Sequence, residues 1–319
     1  MFSGRQRWNP DGQHCYITGG SSGLGLALAT LLVKQGAHVS IVARTQSKLD
    51  DALAQLEGVR RYSHQKLRAY AYSLHTAAAS SAALDRVCEE HDGMAPDAVF
   101  SCAGAAKPKY FVELEEEDLR KGMDDAYWIQ AWTIWAAVKQ MVRQKRGGKV
   151  VLVSSMCGYM SFLGWGPYAP GKHALRGLAD TLHSELMLYS PEITAHLFIP
   201  ATMLTPGFES ENEFKPQITR DVDDPSHAVT PAAAAHALLA GVQRGDAHIA
   251  SDFAGEMFRA STRGLAPRRG WLRDAFLDCV AFIVAPIWRW MEIDRRVKAR
   301  ETREEHARYL ESIGFFEQR

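Results

Sequence analysis

Tyr168 and Lys172 stand four positions apart in the stretch YAPGKHALRGL, residues 168 to 178, just after a Gly-Pro break and at the head of an expected helix. Residues at i and i+4 share a helix face, so the phenol and the ammonium can approach the same bound molecule. A free tyrosine titrates near ~10, and a neighbouring ammonium favours the phenolate, bringing proton transfer closer to neutral pH. A general acid that protonates an alkoxide as hydride reaches a carbonyl needs that property. The spacing alone occurs by chance in many helices, so its company decides. Ser155 lies 13 residues before Tyr168, at the end of the strand KVVLVSS, where ligands bind in open α/β sheets. Its hydroxyl can hold a carbonyl oxygen and turn it toward the tyrosine. Ser154 is the rival. Side chains alternate along a strand, so only one of the two faces the site readily, and spacing selects Ser155.

These side chains need a scaffold. CYIT is a β-prone run, GGSSGLG a glycine-rich turn, and LALATLLVKQG a helical stretch closed by Gly36. AHVSIVAR then supplies a second strand. Strand, turn, helix and strand in that order make a βαβ unit, which implies a parallel sheet with right-handed crossovers. Further strands are expected at DAVFSCAG, GKVVLVSS and TAHLFIP, with helices at 112–146 and 172–189 between them. The alternation is that of a Rossmann-type doubly wound α/β sheet.

Gly19, Gly23 and Gly25 stand in the spacing G-x-x-x-G-x-G between the first strand and the first helix. Glycines there allow a tight turn and let backbone approach a pyrophosphate that the helix N-terminus stabilises. The plain alternative is a simple strand-to-helix loop. An acidic side chain at the end of the second strand would bind a ribose 2′-hydroxyl and repel a 2′-phosphate. Ala43-Arg44 occupies that place, and a guanidinium pairs with phosphate in a bidentate fork, which favours NADP(H) unless Arg44 is merely a surface residue.

Lys+Arg and Asp+Glu are both 37, so no electrostatic footprint points to nucleic acid. The five cysteines, Cys15, Cys88, Cys102, Cys157 and Cys279, are odd in number and scattered. They suggest neither a disulfide framework nor a metal site, and a reducing compartment is expected. The opening segment MFSGRQRWNPDGQ lacks an apolar core, which argues against a secretory signal peptide and for a catalytic domain beginning in the cytosol.

Over roughly residues 12 to 206 the chain resembles the short-chain dehydrogenase/reductase family, through TGGSSGLG, SCAG at the N-N-A-G position, the serine strand and YAPGK. The resemblance implies Tyr168 as acid/base, Lys172 as the residue that holds the nicotinamide ribose and lowers the tyrosine pKa, and Ser155 as the carbonyl ligand. It implies a cofactor site of Gly19, Ser21, Ser22, Gly23, Leu24, Gly25, Arg44, Ala103, Gly104 and Pro200 with Tyr168 and Lys172, no metal, and a homo-oligomer paired through the tyrosine helix. Ala126 in MDDAYW stands where the family often has a relay asparagine, so a relay would run through water or backbone. Ser101 and Cys102 replace the two asparagines, Ser73 the acidic residue near adenine, and Pro200-Ala201 the usual P-G. YAPGKHALRGLADTLHSEL, TPGFESENEFKP and the apolar C-terminal stretch resemble the 3-ketodihydrosphingosine reductase branch, especially its fungal members. That likeness implies NADPH-dependent reduction of 3-oxosphinganine to sphinganine at the endoplasmic reticulum membrane, with the catalytic domain facing the cytosol. A retinoid or steroid substrate, or a non-catalytic NADPH-binding scaffold, are the alternatives.

The catalytic domain is expected over 1–268, with a mobile, charge-rich substrate loop at about 205–228, and an extension over 269–319. Asp274, Asp278 and Arg289 interrupt WLRDAFLDCVAFIVAPIWRWM, residues 271 to 291, leaving ten uncharged residues from Cys279 to Trp288. A spanning helix needs about 20, and Pro286 would kink it. An interfacial segment fits better, with Trp288 and Trp290 at headgroup level and Arg289 and Arg295 near lipid phosphates. A helix packed on the domain is the alternative. Residues 293–319, dense in both charges, read as a solvated amphipathic helix.

Overall fold

The apolar runs between glycine turns become the strands of one sheet. The computed structural model describes residues 7–317 other than 224, 225 and 227. Residues 1–6, where the opening segment begins, and three positions of the expected substrate loop lie outside the described residues. β1 (His14–Thr18), α1 (Gly23–Lys34) and β2 (His38–Ala43) form the first βαβ unit, followed by α2 (Gln46–Glu57), β3 (Leu67–Ala71), α3 (Ala77–Glu89) and β4 (Ala98–Ser101). The second half runs α4 (Glu116–Met123), α5 (Ile129–Arg143), β5 (Gly148–Val153), α6 (Ala169–Glu185), β6 (Ile193–Ile199), α7 (Pro206–Phe214), α8 (Gln217–Val222), α9 (Pro231–Arg244) and β7 (His248–Ala250).

All neighbouring strands are parallel, in the order β3-β2-β1-β4-β5-β6-β7. The order reverses between β1 and β4, which opens a crevice above the carboxyl ends of the strands. One face of the sheet buries Leu28 and Leu32 of α1 against Leu238 and Val242 of α9. The other buries Leu84 and Val87 of α3 against Ile134 and Met141 of α5 and Leu175 of α6. Strands covered on both faces need near-continuous apolar runs, and β5 and β6 have them. β7 escaped the sequence reading because three residues give no period to detect.

The segment expected as a loop at 205–228 instead begins with two helices, α7 and α8. Thr205 caps α7 by accepting from the Phe208 N–H at 3.1 Å, and Pro206 sits in the first turn, where its missing N–H costs nothing.

The chain then continues through α10 (Phe253–Thr262), α11 (Trp271–Trp288), α12 (Arg295–Lys298) and α13 (Arg300–Ser312). Asp274 does not interrupt the exposed apolar face of α11, because it turns inward. Arg259 grips it with two bonds, 2.5 and 3.2 Å long, and also meets Glu256 at 3.0 Å, while Arg269 pairs with Glu256. Burial pushes the Asp274 carboxyl up, but the Arg259 guanidinium outweighs it and holds the group below its ordinary range. The opposite face of α11 is open, with Leu272 86% and Phe282 82% exposed. No described helix is long and apolar enough to cross a membrane. The expected single tail helix is broken at Ala299, whose ψ of 140° is extended, and α13 folds back so that His306 packs on Tyr110 with ring centres 4.4 Å apart.

Candidate active site

The turn between β1 and α1 is a cradle that leaves no room for a side chain at Gly19 or Gly25. Gly19 (φ +66°) and Gly23 (φ +52°) adopt left-handed backbone. A Cβ on Gly19 would lie 2.9 Å from the Ala103 nitrogen, and one on Gly25 would overlap the Gly19 carbonyl oxygen. Ala103, just beyond β4, donates its N–H to Thr18 Oγ1 at 3.2 Å, which ties the two strand ends together. Ser22 caps α1 without a side-chain bond, and the first turn carries no acid. The open N–H groups and the positive end of the helix dipole thus face the crevice, as a pyrophosphate requires. Ser21, Ser22, Leu24, Gly104 and Pro200 line the same cleft, which has a volume of about 510 Å³. A dinucleotide fits this cradle.

Arg44 follows β2 at the far end of the cleft and is exposed, with Thr45 and Lys48 beside it. No carboxylate pairs with Arg44 or Lys48 among the described residues. Lys48 was missed because its position only gains meaning once α2 places it next to Arg44. Ser73, expected near adenine, is not part of the lining. Its hydroxyl pairs with His75 Nδ1 at 3.0 Å, and Leu74 and His75 form that wall instead.

β5 delivers the two serines in succession, with different fates. Ser154 is buried and donates to the Lys172 carbonyl at 2.9 Å. Ser155 lines the cleft and caps a short turn by accepting from the Cys157 N–H at 3.2 Å. Tyr168 is the N-cap residue of α6, and Lys172 one turn later directs its Nζ under the ring, 5.3 Å from the ring centre. That Nζ donates to the Val153 carbonyl at 3.0 Å. Ser155, Tyr168 and Lys172 therefore share one end of the cleft, with the glycine cradle at the other.

The electrostatics differ from the expectation that the lysine lowers the tyrosine. Burial chiefly holds the Tyr168 phenol well above its ordinary value, and the nearby Cys157 and Glu211 push the same way, with Ser155 opposing. Burial also lowers the Lys172 ammonium to about 7. The lysine is bonded to backbone rather than to the phenol, and desolvation penalises charge on both groups. A phenol that keeps its proton suits the acid role in reduction.

The helix before the serine strand contains the feature that sequence reasoning missed. α4 and α5 are joined by a π-helical turn, Asp124–Trp128, which holds Ala126 against α6. A Cβ on Gly171 would come within 2.7 Å of Ala126 Cβ, so the two helices meet with small residues. π-Turns mark functional sites more often than chance. One turn further, Gln130 is buried and clamps Val153 from both sides. Its Nε2 donates to the Val153 carbonyl at 2.7 Å, and its Oε1 accepts the Val153 N–H at 2.9 Å. Gln130 and Lys172 thus share one acceptor. The available signal was a glutamine on an otherwise apolar helix stripe, since a buried amide must find partners. Gln130→Leu strands the Val153 N–H at a cost of about 1–3 kcal/mol. It is expected to lower the melting temperature, to reduce kcat roughly tenfold by loosening Lys172, and to shift the pH–rate profile. An unchanged profile would reduce Gln130 to a packing role.

Comparison with known proteins agrees with this geometry. The family model described as short chain dehydrogenase matches residues 13–216. A protein of Cryptococcus neoformans var. neoformans serotype D named 3-ketodihydrosphingosine reductase is 38% identical over 312 residues, covering 98% of this chain and 91% of its own. Proteins of that name from Aspergillus fumigatus and Dictyostelium discoideum are each 32% identical, covering 89% and 88% of this chain and 84% and 85% of their own. In fold, the chain matches a short chain dehydrogenase/reductase from Burkholderia phymatum solved in complex with NAD. The TM-score is 0.69 at 18% identity, over 81% of this chain and 95% of that one.

Proposed function

The chain belongs to the short-chain dehydrogenase/reductase family, and from that premise we propose that it reduces 3-oxosphinganine to sphinganine with NADPH. The observation that carries this reading is similarity along almost the whole chain, tail included, to relatives bearing the reductase name. The intact serine, tyrosine and lysine speak against a non-catalytic scaffold.

When bound, NADPH supplies the hydride that reaches the carbonyl carbon. The Ser155 hydroxyl holds the ketone oxygen and orients it toward Tyr168. As the C=O π pair moves onto oxygen, the Tyr168 O–H gives its proton to the alkoxide and the hydroxyl forms. Lys172 supports the tyrosine from the α6 face and would hold the nicotinamide ribose, while Gln130 fixes the strand end that anchors Lys172. The open N-terminus of α1 would take the pyrophosphate.

Arg44 and Lys48 would take the 2′-phosphate. The double variant Arg44→Ala/Lys48→Ala is expected to raise the KM for NADPH roughly 10- to 100-fold, since each cation forms charge-assisted bonds of about 1.5–3 kcal/mol at best. The KM for NADH should change little. Equal loss with both cofactors would place the 2′-phosphate elsewhere.

The substrate is a long-chain ketone that resides in a bilayer, and the open apolar face of α11 fits the interface of a membrane such as the endoplasmic reticulum's, with the catalytic domain on the cytosolic side. Trp288 lines the catalytic cleft rather than sitting beside the exposed Trp290 at headgroup level, so α11 borders both the lipid-facing surface and the site. An apolar groove between α5 and α6, lined by Ile134, Trp135, Leu178 and Tyr189, supports pairing with a second copy. The substrate reading is tested by offering the purified enzyme 3-oxosphinganine beside steroid and retinoid ketones. Preferential formation of sphinganine is expected, and preference for the ring ketones would replace the substrate while keeping the class.

A further inference from the structure

One wall of the catalytic cleft carries a charge that hydride transfer to a plain ketone does not require. Lys215 is wholly buried, between Glu211 at 2.7 Å and Asp223 at 2.6 Å. The Phe208 and Trp165 rings cover its ammonium at 4.6 and 5.2 Å from their centres. Both carboxylates line the cleft, whereas Lys215 does not. Two acids sharing one cation leave a net negative charge on a wall otherwise built from Phe162, Trp165 and Phe208. Asp223 is further satisfied, since its Oδ1 accepts from Thr202 Oγ1 at 2.8 Å. Glu211 has Lys215 as its one partner among the described residues. Burial pushes the Glu211 carboxyl above its ordinary range even with Lys215 pulling down, so the site would gain from a second cation.

The charge also lies close to the chemistry. Glu211 and Asp223 both act on the Tyr168 phenol, and Trp165 stacks obliquely on the Tyr168 ring with centres 5.3 Å apart. Trp165 is itself buried, lines the cleft, and leaves its indole N–H without a partner among the described residues. In an α-amino ketone the nitrogen sits on the carbon next to the carbonyl. A ketone oxygen on Ser155 and Tyr168 therefore leaves that nitrogen inside the same cleft, whose lining includes the Glu211 carboxylate.

We infer that Glu211 receives the protonated 2-amino group of the substrate and that this contact makes the site select α-ammonio ketones over neutral ketones of the same chain length. Lys215 and Asp223 act as positioning residues that hold the Glu211 carboxylate on the cleft wall. The ammonium of a bound substrate also cancels the negative potential that opposes ionisation of Tyr168, so the correct substrate eases its own proton transfer.

This inference rests on the sphingoid reading of the site, and the test separates the two. Full-length wild-type enzyme is offered 3-oxosphinganine, its N-acetyl derivative and 1-hydroxy-3-octadecanone, which lacks the nitrogen. Binding of sphinganine and N-acetylsphinganine is followed in parallel by tryptophan fluorescence. The charged ketone is expected to exceed both neutral ones in kcat/KM by about 10- to 100-fold, the worth of one charge-assisted bond, with a matching preference in Kd. Glu211→Gln should collapse both ratios toward one. Should that variant fail to fold, the wild-type ratios alone decide. Turnover of all three ketones at equal efficiency would overturn the inference while leaving the reductase reading intact. Failure to reduce 3-oxosphinganine, with sphinganine unbound, would remove both.

Discussion

Tyr168→Phe lowers kcat by roughly 10²–10⁴-fold, the range for loss of a positioned general acid, while the Kd for NADPH stays within about threefold. The substitution removes one oxygen and keeps the ring. Trp165 packs on that ring at 5.3 Å, and Lys172 is held by the Val153 carbonyl, so neither depends on the hydroxyl. The glycine cradle and the α1 N-terminus lie at the other end of the cleft and are untouched. What disappears is the proton that burial keeps on the phenol. Water reaching the cleft is a poor replacement, because it lacks the fixed orientation that packing against Cys157 and Trp165 gives the phenol. Stopped-flow hydride transfer and NADPH titration measure the two quantities separately. Loss of cofactor binding together with turnover would show the tyrosine to be structural, and full turnover would move the acid elsewhere.

The second large effect concerns the membrane. Leu272, Phe276, Ile283 and Ile287 recur at helical spacing on the open face of α11, each more than half exposed. Burying an apolar side chain fully contributes about 1.5–3 kcal/mol. Partial insertion at a bilayer interface realises about 1 kcal/mol for each, and four together correspond to about 10³-fold in vesicle affinity. Replacing all four by serine should therefore release the protein from liposomes. The inner face of α11, where Asp274 meets Arg259, is left alone, so the fold and the reduction of a water-soluble ketone should persist. Unaltered liposome binding would assign the exposed face to a protein partner.

The βαβ opening, the glycine turn and the serine, tyrosine and lysine were legible because each depends on local pattern. Gly25 is glycine for a contact within the turn and Gly19 for the turn's positive φ, and Tyr168 and Lys172 are neighbours on one helix. Gln130, Lys215 and Lys48 were not legible, because their roles arise from burial and from the tertiary placement of their partners, which no local pattern records. Gln130 has meaning only through Val153, 23 residues on. The segment after Thr205 looked unstructured because its apolar residues are few. What orders it is a buried lysine between two acids, and no hydrophobic period records such an arrangement. The raised phenol was hidden for a similar reason. Spacing gave the proximity of Lys172 but not the burial that outweighs it. Asp274 carried the opposite lesson, since a charge that seemed to interrupt an apolar surface is the anchor of its buried side.

The most direct test of the central claim follows the atoms. Wild-type enzyme in mixed micelles is given 3-oxosphinganine and NADPH deuterated at nicotinamide C4, and the product is analysed by mass spectrometry. Sphinganine carrying one deuterium at C3, formed much faster than with deuterated NADH, is the expected result. Tight NADPH binding with no deuterium delivered to C3 would contradict it.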